Sequence, residues 1–269
     1  MAAARPALWS GSLPIPRTRL IGRDHERASV IALLLDETIP LVTLTGPGGV
    51  GKTRLALAIA RELATRFADG AAFVPLASVA DPALVPAAVA HALDVREESG
   101  RSIAERLLAT LRDRHMLLAL DNFEHLLPAA PFVADLLASC PTLTILATSR
   151  STLGVSGEQR FPVPPLNVPA RAITTTAADV GQAEAVQLFV MRAKAAQPSF
   201  TLNDANAGDV AEICRRLDGL PLALELAAAR IVMLAPSSLL AHLDRRLALL
   251  TGGPRDAPPR LRTMRDAIA

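Results

Sequence analysis

The sequence predicts an α/β protein: a mainly parallel five-stranded sheet with helices on both faces, followed by a small all-α domain. Three observations lead there. Short apolar runs alternate with amphipathic segments from about residue 17 to 165, and strand–helix alternation builds parallel sheets through right-handed crossovers. From about residue 181 only helical periodicity remains. The glycine-rich GPGGVGKT at 46–53 sits between an apolar run and a strong amphipathic segment.

The elements follow in chain order. Residues 1–16 are rich in Ala, Ser and Pro and are expected to be disordered. A helix is predicted from Asp24, with Ala28, Ile31, Leu34 and Leu35 as its apolar face. PLVTLT at 40–45 reads as a buried strand. The helix after the glycine-rich loop, 53–67, presents Leu55, Ile59, Leu63 and Phe67 at helical spacing. A second strand is expected at 71–77, helices at 81–93 and 103–113, and a third strand at 116–120. A helix at 127–139 and a strand at 142–149 follow, then a short fifth strand in QRFPVPPL, ended by its prolines. The first domain is therefore placed at 17–165, a Pro- and Thr-rich linker at 166–180, and a helical domain at 181–250. Within it, helices are predicted at 182–196, 205–217, 221–232 and 236–249. Residues 251–269 read as a second linker and the start of a further helix, LRTMRDAIA.

Composition narrows the function classes. Hydrophobic residues make up 51% of 269 positions, enough for real cores. The net charge is only +2, which argues against a nucleic-acid surface on this segment. Cys140 and Cys214 stand alone, without CxxC or clustered His, so reduced buried thiols are expected rather than a disulfide or zinc site. No leader-like h-region opens the chain, and the most apolar run, LALELAAARIVMLA, carries Glu225 and Arg230. A cytoplasmic protein without membrane contact is expected.

GPGGVGKT fits GxxxxGK[ST], and the chemistry explains the spacing. Gly46, Gly48, Gly49 and Gly51 let the backbone curl so that N–H groups face phosphate oxygens, with Pro47 and Val50 between them. The helix beginning near Lys52 adds its N-terminal dipole. Lys52 reaches the β- and γ-phosphates, and the Thr53 hydroxyl suits Mg²⁺. The bland alternative is an ordinary glycine-rich turn, which the strand-before, helix-after context disfavours.

MLLALDNFEH at 116–125 then delivers one carboxylate, Asp121, from the end of a buried strand. It is the candidate metal-side acid, with a helix cap as the alternative. Asn122 cannot take a proton near neutral pH. Glu124 is either the candidate base or a solvated acid at a helix start. Thr148-Ser149-Arg150 ends the fourth strand at the carboxyl edge, where open α/β sheets bind ligands. Arg150 is there either as a γ-phosphate sensor or as a surface residue.

Together these residues resemble the STAND class of P-loop ATPases, the NB-ARC-like regulators. The nearest likeness is a bacterial group that often joins this module to helical repeats or DNA-binding domains in transcriptional regulators. LIGRDHE at 20–26 is similar to the family's N-terminal motif, which implies that Ile21, Gly22 and Arg23 line an adenine pocket; Asp24 departs from the commoner Glu. GPGGVGKTRLA resembles its Walker A segment, taking in Arg54; LALDNFEHL resembles its Walker B, and ATSR its sensor strand. GLPLALELAA at 219–228 resembles the motif whose proline packs against nucleotide, which points to Pro221. The implied fold is the additional-strand P-loop core, with the sensor strand between the P-loop strand and the Walker B strand. LRTMRDAIA is similar to the first helix of the family's winged-helix domain, cut short, with effector or repeat domains beyond it.

The resemblance implies an ATP/ADP switch with Mg²⁺ and slow hydrolysis. ADP would hold the module closed, and ATP would open it toward self-association or effector output. The competing reading is a fast ATPase motor. No LSGGQ-like transporter signature is present, and Arg215 and Arg216 are the available motor-type arginines.

Overall fold

The computed structural model describes residues 13–96, 100–171 and 176–243. They separate into two compact units. The first holds the residues up to Gly46 together with Lys52–Val163, and the second holds Pro47–Gly51 together with the residues from Pro164 onward.

In the first unit five strands form one sheet: β1 (Leu41–Thr45), β2 (Ala71–Pro75), β3 (Met116–Asp121), β4 (Leu143–Ser149) and β5 (Glu158–Pro162). The order is β2-β3-β4-β1-β5, and all four pairings are parallel. The sheet is thus wholly parallel, and β4 lies between β1 and β3, the additional-strand arrangement of the P-loop NTPase fold. Helices α1 (Asp24–Leu34), α2 (Lys52–Leu63), α3 (Val85–Ala92), α4 (Ile103–Leu111) and α5 (Ala130–Ser139) belong to this unit. Every residue of β1 and β3 is buried, as expected for parallel strands covered on both faces.

Two helices differ in detail from the sequence reading. In α1 the buried residues are Val30 and Leu34, while Leu35 is exposed. The inward face runs along Val30 and Leu34 and leaves Ala28 and Leu35 outward. The predicted helix at 53–67 ends at Leu63, where Arg66 N–H turns back to the Leu63 carbonyl and Gly70, at φ 83°, redirects the chain. Phe67 is buried all the same.

In the second unit α6 (Ala177–Val180), α7 (Glu184–Ala196), α8 (Asp204–Arg216), α9 (Pro221–Ala228) and α10 (Pro236–His242) follow one another. The short α6 falls in the Thr-rich segment, with Thr176 accepting from Asp179 N–H as its cap. Helix α8 opens with a reciprocal capping box between Asn203 and Asn206. It closes on a Schellman turn: Gly219 N–H donates to the Cys214 carbonyl and Asp218 N–H to Arg215. Leu220 then caps α9, with Pro221 in its first turn, where the missing N–H costs nothing. Arg192 of α7 pairs with Glu225 of α9 at 2.8 Å. Both side chains are over a fifth exposed, so the pair is worth at most about 1 kcal/mol. Apolar burial of Phe189, Val210, Ile213 and Leu224 therefore dominates this unit.

Both cysteines are free and buried, and burial raises both thiols, Cys214 to about 12. No helix among the described residues is long and apolar enough to cross a membrane. The predicted helical turn at 261–269 and most of residues 1–16 lie outside the described residues.

Candidate functional site

The carboxyl ends of β1, β3 and β4 bring the predicted polar residues of the first unit together. Strand β1 ends at Thr45 and leads into Gly46, which has φ 147°, a backbone that side chains resist. Lys52 opens α2 and is only 9% exposed, and its Nζ donates to the Gly46 carbonyl at 2.7 Å. The ammonium thus spans the loop from its last turn to its first residue. Thr53, next on α2, donates its hydroxyl to Asp121 Oδ1 at 2.6 Å. Parallel pairing of β3 beside β4 makes a third partner available: Thr148 Oγ1 donates to the same Asp121 oxygen at 2.7 Å.

Asp121 is 3% exposed, and two hydroxyls converge on one of its oxygens. The next residue, Asn122, has φ 69°, in the left-handed region. Its N–H donates to Thr148 Oγ1 at 2.8 Å, so that hydroxyl both accepts from the turn and donates to the acid. Thr148 was visible in the sequence as part of a polar strand tip, but its tie to Asp121 depends on strand order and only the fold reveals it.

Glu124 and Arg150 meet at the same edge. Arg150 Nε lies 3.5 Å from Glu124 Oε1, while Glu124 Oε2 is buried without a hydrogen-bond partner. The candidate base and the candidate sensor therefore form an ion pair with each other.

Ile21, Gly22 and Arg23 form the turn before α1. Gly22 has φ 51° and Arg23 φ 146°, a rare backbone for a residue with a side chain. The Arg23 guanidinium is buried against Glu26 Oε1 at 2.9 Å. Arg54 points to the preceding segment and donates to Thr18 Oγ1 at 2.9 Å and to the Thr18 and Arg19 carbonyls. A cleft of about 250 Å³ lies beside it, lined by Ile15, Pro16, Leu20 and Ala58 among others.

In the second unit the loop Pro47–Gly51 keeps company with the start of α9. Leu222 N–H donates to the Gly49 carbonyl at 3.1 Å, and a methyl group on Gly49 would lie 2.9 Å from Leu222 Cβ. A methyl group on Gly51 would meet Pro221 Cγ at 3.9 Å. Gly49 and Gly51 have φ 79° and 100°, which favours glycine at both, and at Gly49 the close approach of Leu222 adds to it.

These donors fit a magnesium nucleotide. Among the described residues no group of three or more His, Cys, Asp or Glu could cage a metal. A site with one carboxylate and one hydroxyl instead suits an ion that keeps water and phosphate oxygens in its shell, as Mg²⁺ does. Thr53 and Asp121 are the two groups that would hold it.

The profile of the family described as "AAA domain" matches residues 36–156. The chain is 46% identical over 229 residues to a "Putative HTH-type transcriptional regulator" of Mycobacterium tuberculosis, covering 85% of this chain and 24% of that protein. It is 42% identical over 241 residues to an "Uncharacterized protein" of the same species, covering 89% of this chain and 58% of the other. The chain thus spans about a quarter to just over half of the length of these relatives. Among solved structures it is similar to the Walker-type ATPase of Pyrococcus abyssi, with TM-score 0.57 and 15% identity, over 90% of this chain and 77% of that one.

Proposed function

We propose that the chain, whose residues 36–156 match the AAA-domain family, is the nucleotide-binding module of a STAND-type signalling switch. It binds ATP or ADP with Mg²⁺, hydrolyses ATP slowly, and couples the bound state to self-association or to an effector. The observation that carries this reading is the Thr53–Asp121 contact at 2.6 Å, which joins the start of the P-loop helix to the end of β3.

Thr53 and Asp121 would hold Mg²⁺, which would supply positive charge against the phosphate. The chain's own residues do the rest. The 46–53 loop cradles phosphate through its backbone N–H groups. Lys52 exchanges the Gly46 carbonyl for phosphate oxygens. Asp121 and Thr53 hold the metal side, with Thr148 orienting the carboxylate. Ile21, Gly22, Arg23 and Arg54 serve the base and sugar end, and Pro221 the nucleotide face of the helical unit. Arg150 reads the γ-phosphate.

A slow rate is supported by Asn122 standing where a second acid would follow Asp121. A γ-phosphate that draws Arg150 away would free Glu124, so one event would both report ATP and arm the base. Differential binding of this kind is what a switch requires. The named regulator relative supports a transcriptional output, delivered by segments beyond the residues matched here. No direct nucleic-acid contact is assigned to this segment, whose net charge is +2.

Steady-state turnover of Mg-ATP, with Lys52→Ala as the blank, tests the proposal. Typical enzymes turn over at roughly 1–10³ s⁻¹. The switch predicts a rate well below that range with nucleotide retained; a rate within it favours a motor.

A further inference from the structure

We propose that His125 is a positioning residue for the metal-binding acid, acting through Asn122 and Thr148 on Asp121; the inference rests on the nucleotide-binding reading above. The chain of contacts is continuous. His125 Nε2 lies 2.8 Å from the Val79 carbonyl oxygen. A carbonyl only accepts, so this nitrogen carries the proton. In a neutral imidazole Nδ1 is then the acceptor, and Asn122 Nδ2 donates to it at 3.2 Å. The Asn122 backbone N–H donates to Thr148 Oγ1, and Thr148 donates to Asp121 Oδ1.

The backbone of Asn122 explains why such a tether is needed. At φ 69° Asn122 sits in the left-handed region, which asparagine enters more readily than other residues with a side chain, and local hydrogen bonds select that geometry over negative φ. The backbone bond to Thr148 and the side-chain bond to His125 are among the restraints that do so. If Asn122 relaxed to negative φ, its N–H would swing away from Thr148. The Thr148 hydroxyl would lose the donor that fixes its orientation, and Asp121 would lose a fixed partner. His125 thus holds the Asn122 side chain in the turn after β3, and the acid inherits that order. Outer-shell groups of this kind commonly set metal affinity without touching the metal.

The two ring nitrogens can be separated by substitution. His125→Asn keeps an acceptor near the Nδ1 position and loses the reach to Val79. His125→Gln keeps a donor near the Nε2 position and loses the acceptor for Asn122. His125→Ala loses both. The test is nucleotide affinity, measured for the intact chain by calorimetry with ATP in EDTA and with ATP in Mg²⁺, alongside thermal unfolding without ligand. The expected result is a loss of about tenfold in Mg-ATP affinity for the Ala and Gln variants, the low end of the outer-shell range. The Asn variant keeps wild-type affinity, and ATP affinity in EDTA and the unfolding midpoint stay unchanged in all three. Unchanged Mg-ATP affinity in all three variants, or an equal loss in all three, overturns the proposal. So does rescue by Gln rather than Asn, or an equal loss with and without Mg²⁺, since each makes His125 a loop tether only. Wild-type protein that binds no ATP overturns the nucleotide reading itself, and the positioning role with it.

Discussion

Arg150 shows how much one residue's meaning depends on its partner. Its guanidinium is 41% exposed and pairs with Glu124 at 3.5 Å, a contact too long and too wet to add much stability. Its value is therefore in what it can be exchanged for. We expect Arg150→Ala to reduce the preference for ATP over ADP by about tenfold, the scale of one charge-assisted hydrogen bond, with little change in ADP affinity. Competition binding of the two nucleotides measures this directly, and unchanged affinities for both would remove Arg150 from γ-phosphate recognition. At this scale the sequence was legible where chemistry is local. GPGGVGKT states its loop through glycine spacing, and Asp121 announces itself at the end of an apolar run. Thr148 and His125 were not legible as partners of the acid. Their contacts run to residues 27 positions away for Thr148 and 46 for His125, through a strand order that periodicity does not encode.

The turn from α8 into α9 shows what an element junction demands. Gly219 has φ 63°, and a methyl group there would sit 2.1 Å from the Leu166 carbonyl oxygen. That carbonyl belongs to backbone, which cannot rotate aside, and Leu166 N–H also donates to the Gly219 carbonyl at 3.0 Å. Gly219→Ala should therefore destabilise the helical unit by more than the roughly 1 kcal/mol of left-handed strain alone. Urea unfolding followed by far-UV circular dichroism gives the figure; an unchanged midpoint would mean the 164–168 segment shifts freely. The glycine of the GLPLA motif is thus explained by packing and backbone, before any ligand is considered. Strands were legible as elements because parallel burial leaves long apolar runs. The inward face of α1 was not, because Ala28 and Leu35 fall at helical spacing with Ile31 and Leu34 and yet are exposed.

The whole molecule divides into two compact units that share the phosphate loop's sequence between them, Gly46 and Lys52 in one and Pro47–Gly51 in the other. We expect sedimentation velocity to show a larger species with Mg-ATP than with ADP, and Lys52→Ala to abolish the difference; identical profiles in both nucleotides would leave the switch without an assembly step. The sequence foretold an α/β part followed by helices through the change in periodicity after residue 165. It could not foretell that the loop would be divided in this way, since that depends on close approach of Leu222 to Gly49.

The last strand of the sheet bears on how such an assembly could form. Strand β5 presents Glu158, Gln159 and Arg160 along its length and ends at Pro162, which has no amide proton to offer. Charge and proline on an outer strand deter a neighbouring chain from zipping on. Copies of this protein should therefore not join along β5, and a reversible signal gains from that, since backbone stitching at that margin would be hard to undo.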